Sequence, residues 1–487
     1  MELELTADAE AVAGLSRLKA LASSRDGRPR NQTVKIVWHD SPDHALLADG
    51  LTLAEQRGVR RLERLVPGTQ TWLPAQPAPI VAEAPDPATL PAPAAPLAAF
   101  EGRQAISLHQ IDGHPVTLTI ARGVLRSVTA EQLVARIWLN GTEQAVRAAA
   151  ELIADAVPVA VPRASLAAEG IALALGSSPA PRHLGAPALP GDIAGVPDAL
   201  MHILGHLTDV ILAHAPAAAL MDATSPEAVH QMRVAVRRAR SALSIFRPGV
   251  PAGALDAVGA NLKALGSLLG PTRDWDVFVD ETLPPIRLAI PDNERLDRLA
   301  VAGDRRRREC QKTLAAYLAS PAFRRLGIEL AWFAAAGFWH APVAVSDETE
   351  TVAPPPLVDF AGTVLQHRWK RLVSAGKGIE TLDIPSLHGV RLRAKRARYA
   401  AEMFSSLHHG KAAHRFIRRL SVLQQRLGVL NDGAVATGLL DELGGAGGRH
   451  AHAVGLVVGF MAARAEKIRP RIVRAFERFR RQPAYWA

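Results

Sequence analysis

Two stretches of the sequence share one basic pattern: HQMRVAVRRARSALSIF begins at His230, and HGVRLRAKRARYAAEMF begins at His388. In each stretch, basic residues follow the histidine by 3, 7, 8 and 10 positions, and a phenylalanine follows it by 16. At about 100° per residue, these basic residues gather on one side of a helix, while most of the apolar residues gather on the other. The pattern therefore predicts two amphipathic helices, each with a cationic face.

The two stretches lie 158 positions apart, and the same offset aligns a second pair of stretches. LKALGSLLGPTRDWDVF, from Leu262, falls on LSVLQQRLGVLNDGAVA, from Leu420, with leucine, glycine and aspartate positions matched. One offset that aligns two separate patterns indicates an internal duplication. We expect two helical bundles, over about residues 197–350 and 355–487, that pack around a pseudo-two-fold axis with their cationic helices facing a shared groove.

The positive charge of the chain is concentrated in this helical half. The net charge is +10, but residues 1–195 include 17 basic and 20 acidic residues, whereas residues 196–487 include 40 basic and 27 acidic. Such an excess predicts an anionic partner: nucleic acid, an anionic membrane or a polyphosphate. The alternative interpretation is a solvated cationic face, although like charges three or four positions apart repel by about 0.2–0.5 kcal/mol per pair.

The residue types in the two basic stretches favour a plain phosphate chain among these partners. Proteins that bind single-stranded nucleic acid add stacking aromatic side chains. Here aromatic residues make up 5% of the chain, and none occupies a cationic position of either stretch. The sequence contains no helix-turn-helix, zinc-finger or RNA-motif signature. A phosphate chain needs only closely spaced cations, with arginine gripping two oxygens at once.

The first half of the chain has the alternation typical of β-strands. In PVTLTIARG, Val116, Leu118 and Ile120 share one face, and the Asp112-Gly113 pair before them is a hairpin signal. Proline is so dense over residues 74–96 that we expect an extended, mobile loop without a strand ladder. A linker over residues 176–196 separates a β-rich domain, residues 1–175, from an all-α domain, residues 197–487. The predicted fold class is therefore α+β with two domains.

Composition indicates a cytoplasmic protein of bacterial type. The single cysteine, Cys310, excludes an intrachain disulfide and fits a reducing compartment. The N-terminus lacks the apolar segment of a signal peptide. The longest apolar run, residues 454–463, is about half the length needed to cross a bilayer, so we expect no membrane partner. No histidine has a partner at zinc-ligand spacing, so no metal or cofactor is expected.

Both basic stretches resemble the signature of the CHAD family (conserved histidine α-helical domain). The resemblance runs from about residue 197 to the C-terminus and includes LGPTRDWDV and LGVLND. It implies two four-helix bundles around a basic central cavity that binds inorganic polyphosphate. Carried over to this sequence, the polyphosphate-binding positions are His230, Arg233, Arg237, Arg238, Arg240, His388, Arg391, Lys395, Arg396 and Arg398, with Arg368, Arg371, Arg415 and Arg419 as weaker additions.

The first half resembles a CYTH domain, an antiparallel β tunnel that hydrolyses triphosphates with divalent metal. ELEL, with Glu2 and Glu4, is similar to the family's opening, but most of the charged positions that the resemblance implies are lost. They are occupied by Thr6, Ala54, Gln56, Ala135, Ile137, Leu139 and Leu166. Arg103 and Arg122 remain as phosphate contacts. Because neither a metal cluster nor a phosphate cradle can be assembled, we expect an inactive CYTH relic and no enzyme.

These observations predict a non-catalytic protein that binds inorganic polyphosphate through its helical half and associates with polyphosphate granules. Two other functions stay open. The first is a metal-dependent triphosphatase in the β-rich half, and the second is nucleic-acid binding through the same basic groove, which the sequence disfavours. The oligomeric state is also open, a homodimer included.

Overall fold

The computed structural model describes residues 2–65, 80–83, 94–177, 184–193, 195–222, 225–251, 253–336, 356–408 and 410–486. The chain forms two compact units. The first comprises Met1–Arg182, Thr208–Ala213 and Tyr317–Phe338, and the second comprises His183–Leu207, His214–Ala316 and Trp339–Ala487.

The first unit is built on one sheet, which has nine strands within the described residues, and every pair of neighbouring strands is antiparallel. The strand order is β5-β4-β3-β2-β6-β7-β8-β1-β9. This confirms the antiparallel fold, but β5 and β9 are edges, so the described strands form an open sheet rather than a closed barrel. The strands are β1 (Glu2–Ala7), β2 (Arg25–Asp40), β3 (Leu51–Gln56), β4 (Val59–Arg64), β5 (Ile80–Glu83), β6 (Ala95–Ile111), β7 (His114–Ser127), β8 (Glu131–Gly141) and β9 (Val159–Ala160).

Helices cover the sheet and make up nearly all regular structure of the second unit. In chain order they are α1 (Ala9–Val12), α2 (Lys19–Ser24), α3 (Ala45–Ala48), α4 (Glu143–Ala156), α5 (Leu166–Ala174), α6 (Val196–Ala219), α7 (Ser225–Phe246), α8 (Asp256–Val277), α9 (Leu283–Ala289), α10 (Glu294–Leu318), α11 (Pro321–Ala336), α12 (Leu357–Ala375), α13 (Ile384–Met403), α14 (Lys411–Glu442) and α15 (Ala451–Arg480).

Two features differ from expectation, one in the proline-rich stretch and one at the end of the first helical repeat. We expected no ladder over residues 74–96, but Ile80–Glu83 pairs with β4, and these four residues contain no proline. The predicted mobility of the rest of that stretch concerns residues outside those the structure describes. Helix α11, which we assigned to the first helical repeat, packs instead on α4, because Ile328, Ala331 and Trp332 join the core under the sheet.

The two faces of the sheet have different roles. One face carries Leu3, Leu5 and Val116, which pack with α4 and α11 in a closed core. The opposite face packs Phe100 and Leu125 against α5 in a second core. The hairpin between β6 and β7 forms as predicted, with positive φ at Asp112 (51°) and Gly113 (78°) in a two-residue turn.

The face assignment of β8 corrects the sequence alignment by one residue. We placed Ala135, Ile137 and Leu139 at the charged positions of the tunnel interior, but all three lie in the core with Leu3 and Leu5. Their neighbours Arg136 and Trp138 share the face of Glu4, because Thr6 pairs with Arg136 and Glu4 pairs with Trp138. Since side chains alternate along a strand, a shift of one residue moves the whole set to the other face.

The second unit contains the predicted duplication, helix for helix. Adding the offset of 158 carries α6 onto α12, α7 onto α13, α8 onto α14 and α10 onto α15, within a few residues at each end. Each repeat is thus a four-helix set. The short α9 follows a π-helical turn at Phe278–Thr282, where the second repeat continues α14 instead.

Equivalent residues of the two repeats meet at one point. Phe246 ends α7, Phe404 follows α13 at the equivalent position, and their ring centroids lie 5.5 Å apart. Both side chains are fully buried. Contact between equivalent residues is what a two-fold relation produces beside its axis. This arrangement agrees with the expected pseudo-two-fold pairing of the bundles.

Helix α6 is the one helix of the described chain that is long and apolar enough to cross a membrane. However, 67% of its most apolar window is buried inside the protein. A core helix of a large helical bundle has the same length and composition.

Candidate anion-binding site

Helices α7 and α13 have the amphipathic form that the sequence predicted. On α7, Met232, Val236 and Ala239 are buried, and Val390 and Ala394 are buried on α13. The apolar faces therefore hold each helix in its bundle by burying hydrocarbon. The cationic faces are left half-buried or exposed, which positions their side chains for contact across the two repeats.

Three arginine side chains from the two repeats converge around one lysine. We call Arg233 and Arg237 of α7, together with Arg391 and Lys395 of α13, the central cluster. The pKa of Lys395 is lowered to about 6, first by burial and then by the nearby charges of Arg237, Arg391 and Arg233 in that order. A lysine reaches such a pKa only when it is desolvated among like charges.

Helices α7 and α13 are also tied together at the cluster by a tyrosine. Arg237 Nε donates a hydrogen bond to Tyr399 Oη at 2.6 Å. The guanidinium of Arg238 lies 5.3 Å from the same ring centroid. The sequence analysis missed Tyr399, although it directly follows the last basic position of the second stretch. Its ring is held by arginines from both repeats, and it is buried.

Carboxylates balance only part of the charge of the central cluster. Arg233 Nη2 lies 3.2 Å from Asp274 Oδ1, and the equivalent aspartate of the second repeat, Asp432, attracts Arg391. Burial is nevertheless the dominant influence and lowers the pKa of both Arg233 and Arg391. At pH 7, where Lys395 is largely deprotonated, three guanidinium groups face two carboxylates. This leaves an excess of positive charge in a poorly solvated place, which an anion would relieve.

Two of the predicted binding residues are committed to a contact inside the protein. Arg238 Nη1 lies 2.7 Å from Glu402 Oε2, and Arg398 Nη1 lies 3.2 Å from Glu402 Oε1. The side chains of this trio are only 11%, 20% and 16% exposed, respectively, for Arg238, Arg398 and Glu402. The geometry makes them a bridge between α7 and α13.

Three other predicted residues line a separate pocket in the second unit. Arg396 lies about 140° around α13 from Arg391, so its side chain leaves the helix on another side. With Arg368 and Arg371 of α12 it lines a pocket of about 640 Å³. Burial, together with Arg396 and Arg371, lowers the pKa of Arg368 to about 10. Arg393, which the sequence analysis did not single out, also lines this pocket.

The remaining predicted residues lie outside the central cluster, the bridge at Glu402 and the pocket at Arg368. His230 is half-buried, and burial followed by the nearby Arg273 lowers its pKa, which keeps the imidazole neutral at pH 7. His388 and Arg240 are exposed on their helices. On α14, Arg415 is exposed, and Arg419 donates a hydrogen bond to the carbonyl oxygen of Arg478 at 3.0 Å.

Among the described residues of the first unit, the carboxylates of Glu4 and Glu169 do not fit a divalent metal. Arg136, only 2% exposed, stands between Glu4 and Glu169: its Nε lies 3.0 Å from Glu4 Oε1, and its Nη2 contacts Glu169. Its Nη1 donates to Thr6 Oγ1 at 2.6 Å. A guanidinium thus holds the place between carboxylates that a cation would need. Burial raises the pKa of Glu4 to about 7 although Arg136 opposes this, so the carboxylate is a poor metal ligand at neutral pH.

In the first unit, the two arginines expected to contact phosphate lie on the face of the sheet opposite to Glu4. Arg103 pairs with Arg122, and Arg122 pairs with Ala135, which lies in the core with Leu3. Both arginines are exposed. They therefore cannot act on the same bound group as Glu4, which occupies the opposite face of the sheet.

The fold and the site together define a duplicated helical module whose two basic helices bring cations to one place. A model of the CHAD domain family matches residues 202–441. The crystal structure of the CHAD domain from the plant Ricinus communis is 30% identical, covers 63% of this chain and 99% of its own, and superposes with a TM-score of 0.52. The chain belongs to the CHAD family.

A second solved structure, described as PptA from Streptomyces chartreusis, is 16% identical. It covers 58% of this chain and 99% of its own, with a TM-score of 0.43. No curated protein matches the sequence.

Proposed function

We propose that the helical unit binds inorganic polyphosphate at the central cluster without chemical change. The observation that carries this proposal is the convergence of Arg233, Arg237 and Arg391 around the desolvated side chain of Lys395. Such a group of cations is poorly stabilised without an anion. A chain of phosphates offers several charged oxygens at short intervals, so it can accept charge-assisted hydrogen bonds from both repeats at once.

The residues around the cluster favour polyphosphate over nucleic acid. Tyr399 is the aromatic side chain in contact with these arginines, and it is buried and hydrogen-bonded to Arg237. It therefore cannot serve as a stacking platform for bases, which sequence-tolerant binding of single strands requires. We propose that the protein acts in the cytoplasm, on free or granular polyphosphate, with no membrane partner.

The first test is a titration of the whole chain with polyphosphate of defined length at two salt concentrations. Because binding releases counterions from the polyanion, we expect Kd to increase about 50- to 150-fold between 50 and 200 mM salt, by the relation known for nucleic acids with about four contacts. A single-stranded oligonucleotide of equal charge should compete weakly. Efficient competition by the oligonucleotide would indicate that the site binds nucleic acid, and it would contradict the proposal.

We also propose that the first unit is not a triphosphatase, since Arg136 replaces a metal between its carboxylates. Purified protein with Mg²⁺ or Mn²⁺ should release no phosphate from triphosphate or from a nucleoside triphosphate above the rate without protein. The measurement is phosphate release over hours at pH 7–9. Glu4→Gln serves as the matched control, because metal-dependent release that disappears in this variant would establish an active site and overturn the proposal.

A further inference from the structure

The pocket at Arg368 has a cationic side with no acidic partner. Arg368, Arg371 and Arg396 line it, and none of the described residues around it is an aspartate or glutamate. Arg368 Nη1 donates a hydrogen bond to the carbonyl oxygen of Arg396 at a long 3.5 Å. Arg368 is half-buried, whereas Arg371 and Arg396 are exposed. A half-buried guanidinium without counter-charge leaves hydrogen-bond donors unused, and this favours a bound anion.

Comparison of the two repeats shows why the pocket lacks a carboxylate. Arg396 is the equivalent of Arg238 at the offset of 158, and Ser244 is the equivalent of Glu402. In one half, Arg238 meets Glu402 at 2.7 Å, so its charge is neutralised within the protein. In the other half, Arg396 and Ser244 line the pocket together. The two repeats thus share the arginine, but only one of them has the acid beside it.

Apolar residues also line the same pocket. Val196, Ile245, Phe360 and Val364 line it, with Pro248 and Gly249 at the turn after α7. The volume of about 640 Å³ lies within the range of sites for small organic ligands. Inorganic phosphate or a bare polyphosphate chain would leave this wall in contact with water, whereas an organic ligand would cover it.

We propose that this pocket binds an organic phosphate ester, with the phosphate on Arg368, Arg371 and Arg396 and an apolar or aromatic body on the wall of Val196, Ile245 and Phe360. Three guanidinium groups suit the several oxygens of a phosphate better than a single carboxylate, which one arginine can hold in bidentate fashion. The site is separate from the central cluster, whose residues do not line this pocket. The inference therefore does not depend on the polyphosphate proposal.

The test uses 1-naphthyl phosphate as the probe, with inorganic phosphate and 1-naphthol as its two halves, in calorimetric titrations of the whole chain. We expect one site that binds naphthyl phosphate at least tenfold more tightly than either half. Arg368→Gln and the more exposed Arg371→Gln should each weaken it about tenfold. Val364→Asn should weaken naphthyl phosphate and leave inorganic phosphate unchanged. Arg298→Gln, at an exposed position of α10, is the matched control and should change nothing.

Circular dichroism and thermal unfolding of each variant separate loss of binding from loss of fold. Equal affinities for naphthyl phosphate and inorganic phosphate would overturn the proposal, because the apolar wall would then contribute nothing. Unchanged binding in both folded arginine variants, or no saturable binding of the probe by the parent protein, would overturn it as well.

Discussion

Replacing Arg233 and Arg391 with glutamate is expected to abolish retention of the protein on a polyphosphate matrix, with affinity lowered at least about 100-fold. Each substitution changes the charge at the central cluster by two units, one from each repeat. Truncating a desolvated charged contact typically costs about 2–5 kcal/mol, so two reversals exceed a hundredfold loss. The measurement is retention on the matrix, followed by a solution titration at fixed salt.

The controls for this variant separate local charge from total charge. Arg298→Glu with Arg481→Glu makes the same change in net charge at positions that are 70% and 77% exposed, and it should lower affinity only a few fold. Glutamate at position 233 would face Asp274, and the two like charges would repel. The variant Arg233→Gln with Arg391→Gln avoids this repulsion, and its affinity for polyphosphate should be lower by about tenfold or more. Full retention of binding by folded reversal protein would show that the central cluster is not the site.

Polyphosphate binding is expected to weaken at least about tenfold between pH 6 and pH 8 because of Lys395. Its pKa in the free protein is about 6, owing first to burial and then to Arg237, Arg391 and Arg233. A bound polyanion raises that pKa, so above pH 6 the complex takes up a proton that the free protein lacks. Affinity therefore falls as pH rises from 6 to the pKa of the complex, by at most about tenfold per pH unit. Below pH 6 the lysine is protonated in both states, and this contribution disappears.

Two substitutions at one position isolate the lysine from the titration of the phosphate ends and of His230. Lys395→Arg carries a permanent charge, so its affinity for polyphosphate should be the same at pH 8 as at pH 6, apart from the change caused by titration of the phosphate ends. Lys395→Met should bind polyphosphate more weakly than the parent protein at pH 6. Its affinity should also lack the part of the pH dependence that comes from Lys395. Calorimetry in two buffers of different ionisation enthalpy counts the protons taken up. An identical slope in all three proteins would refute the role of Lys395.

Local periodicity was sufficient for much of this fold. The spacing of basic and apolar residues from His230 and His388 predicted two amphipathic helices, and α7 and α13 have the expected faces. The constant offset of 158 predicted a duplication that extends to four helices in each repeat. The Asp112-Gly113 turn was equally local. These features depend on neighbours three or four residues apart, or on two copies of one pattern, and both are visible along the chain.

Assignment of a role to each charged residue required the tertiary structure. Fourteen basic positions looked alike in sequence, but Arg238 and Arg398 meet Glu402, and Arg396 lies in another pocket. Arg233, Arg237 and Arg391 lie around Lys395. The face of β8 was likewise set by its pairing with β1, more than a hundred residues away.

Thus the sequence by itself determined the helices, the repeat and the excess of positive charge in this CHAD protein. Only the tertiary structure decided which cations are neutralised and which are left for a ligand. The physical reason is that the free energy of a charge depends on its burial and on its nearest opposite charge, and both are set by residues distant along the chain.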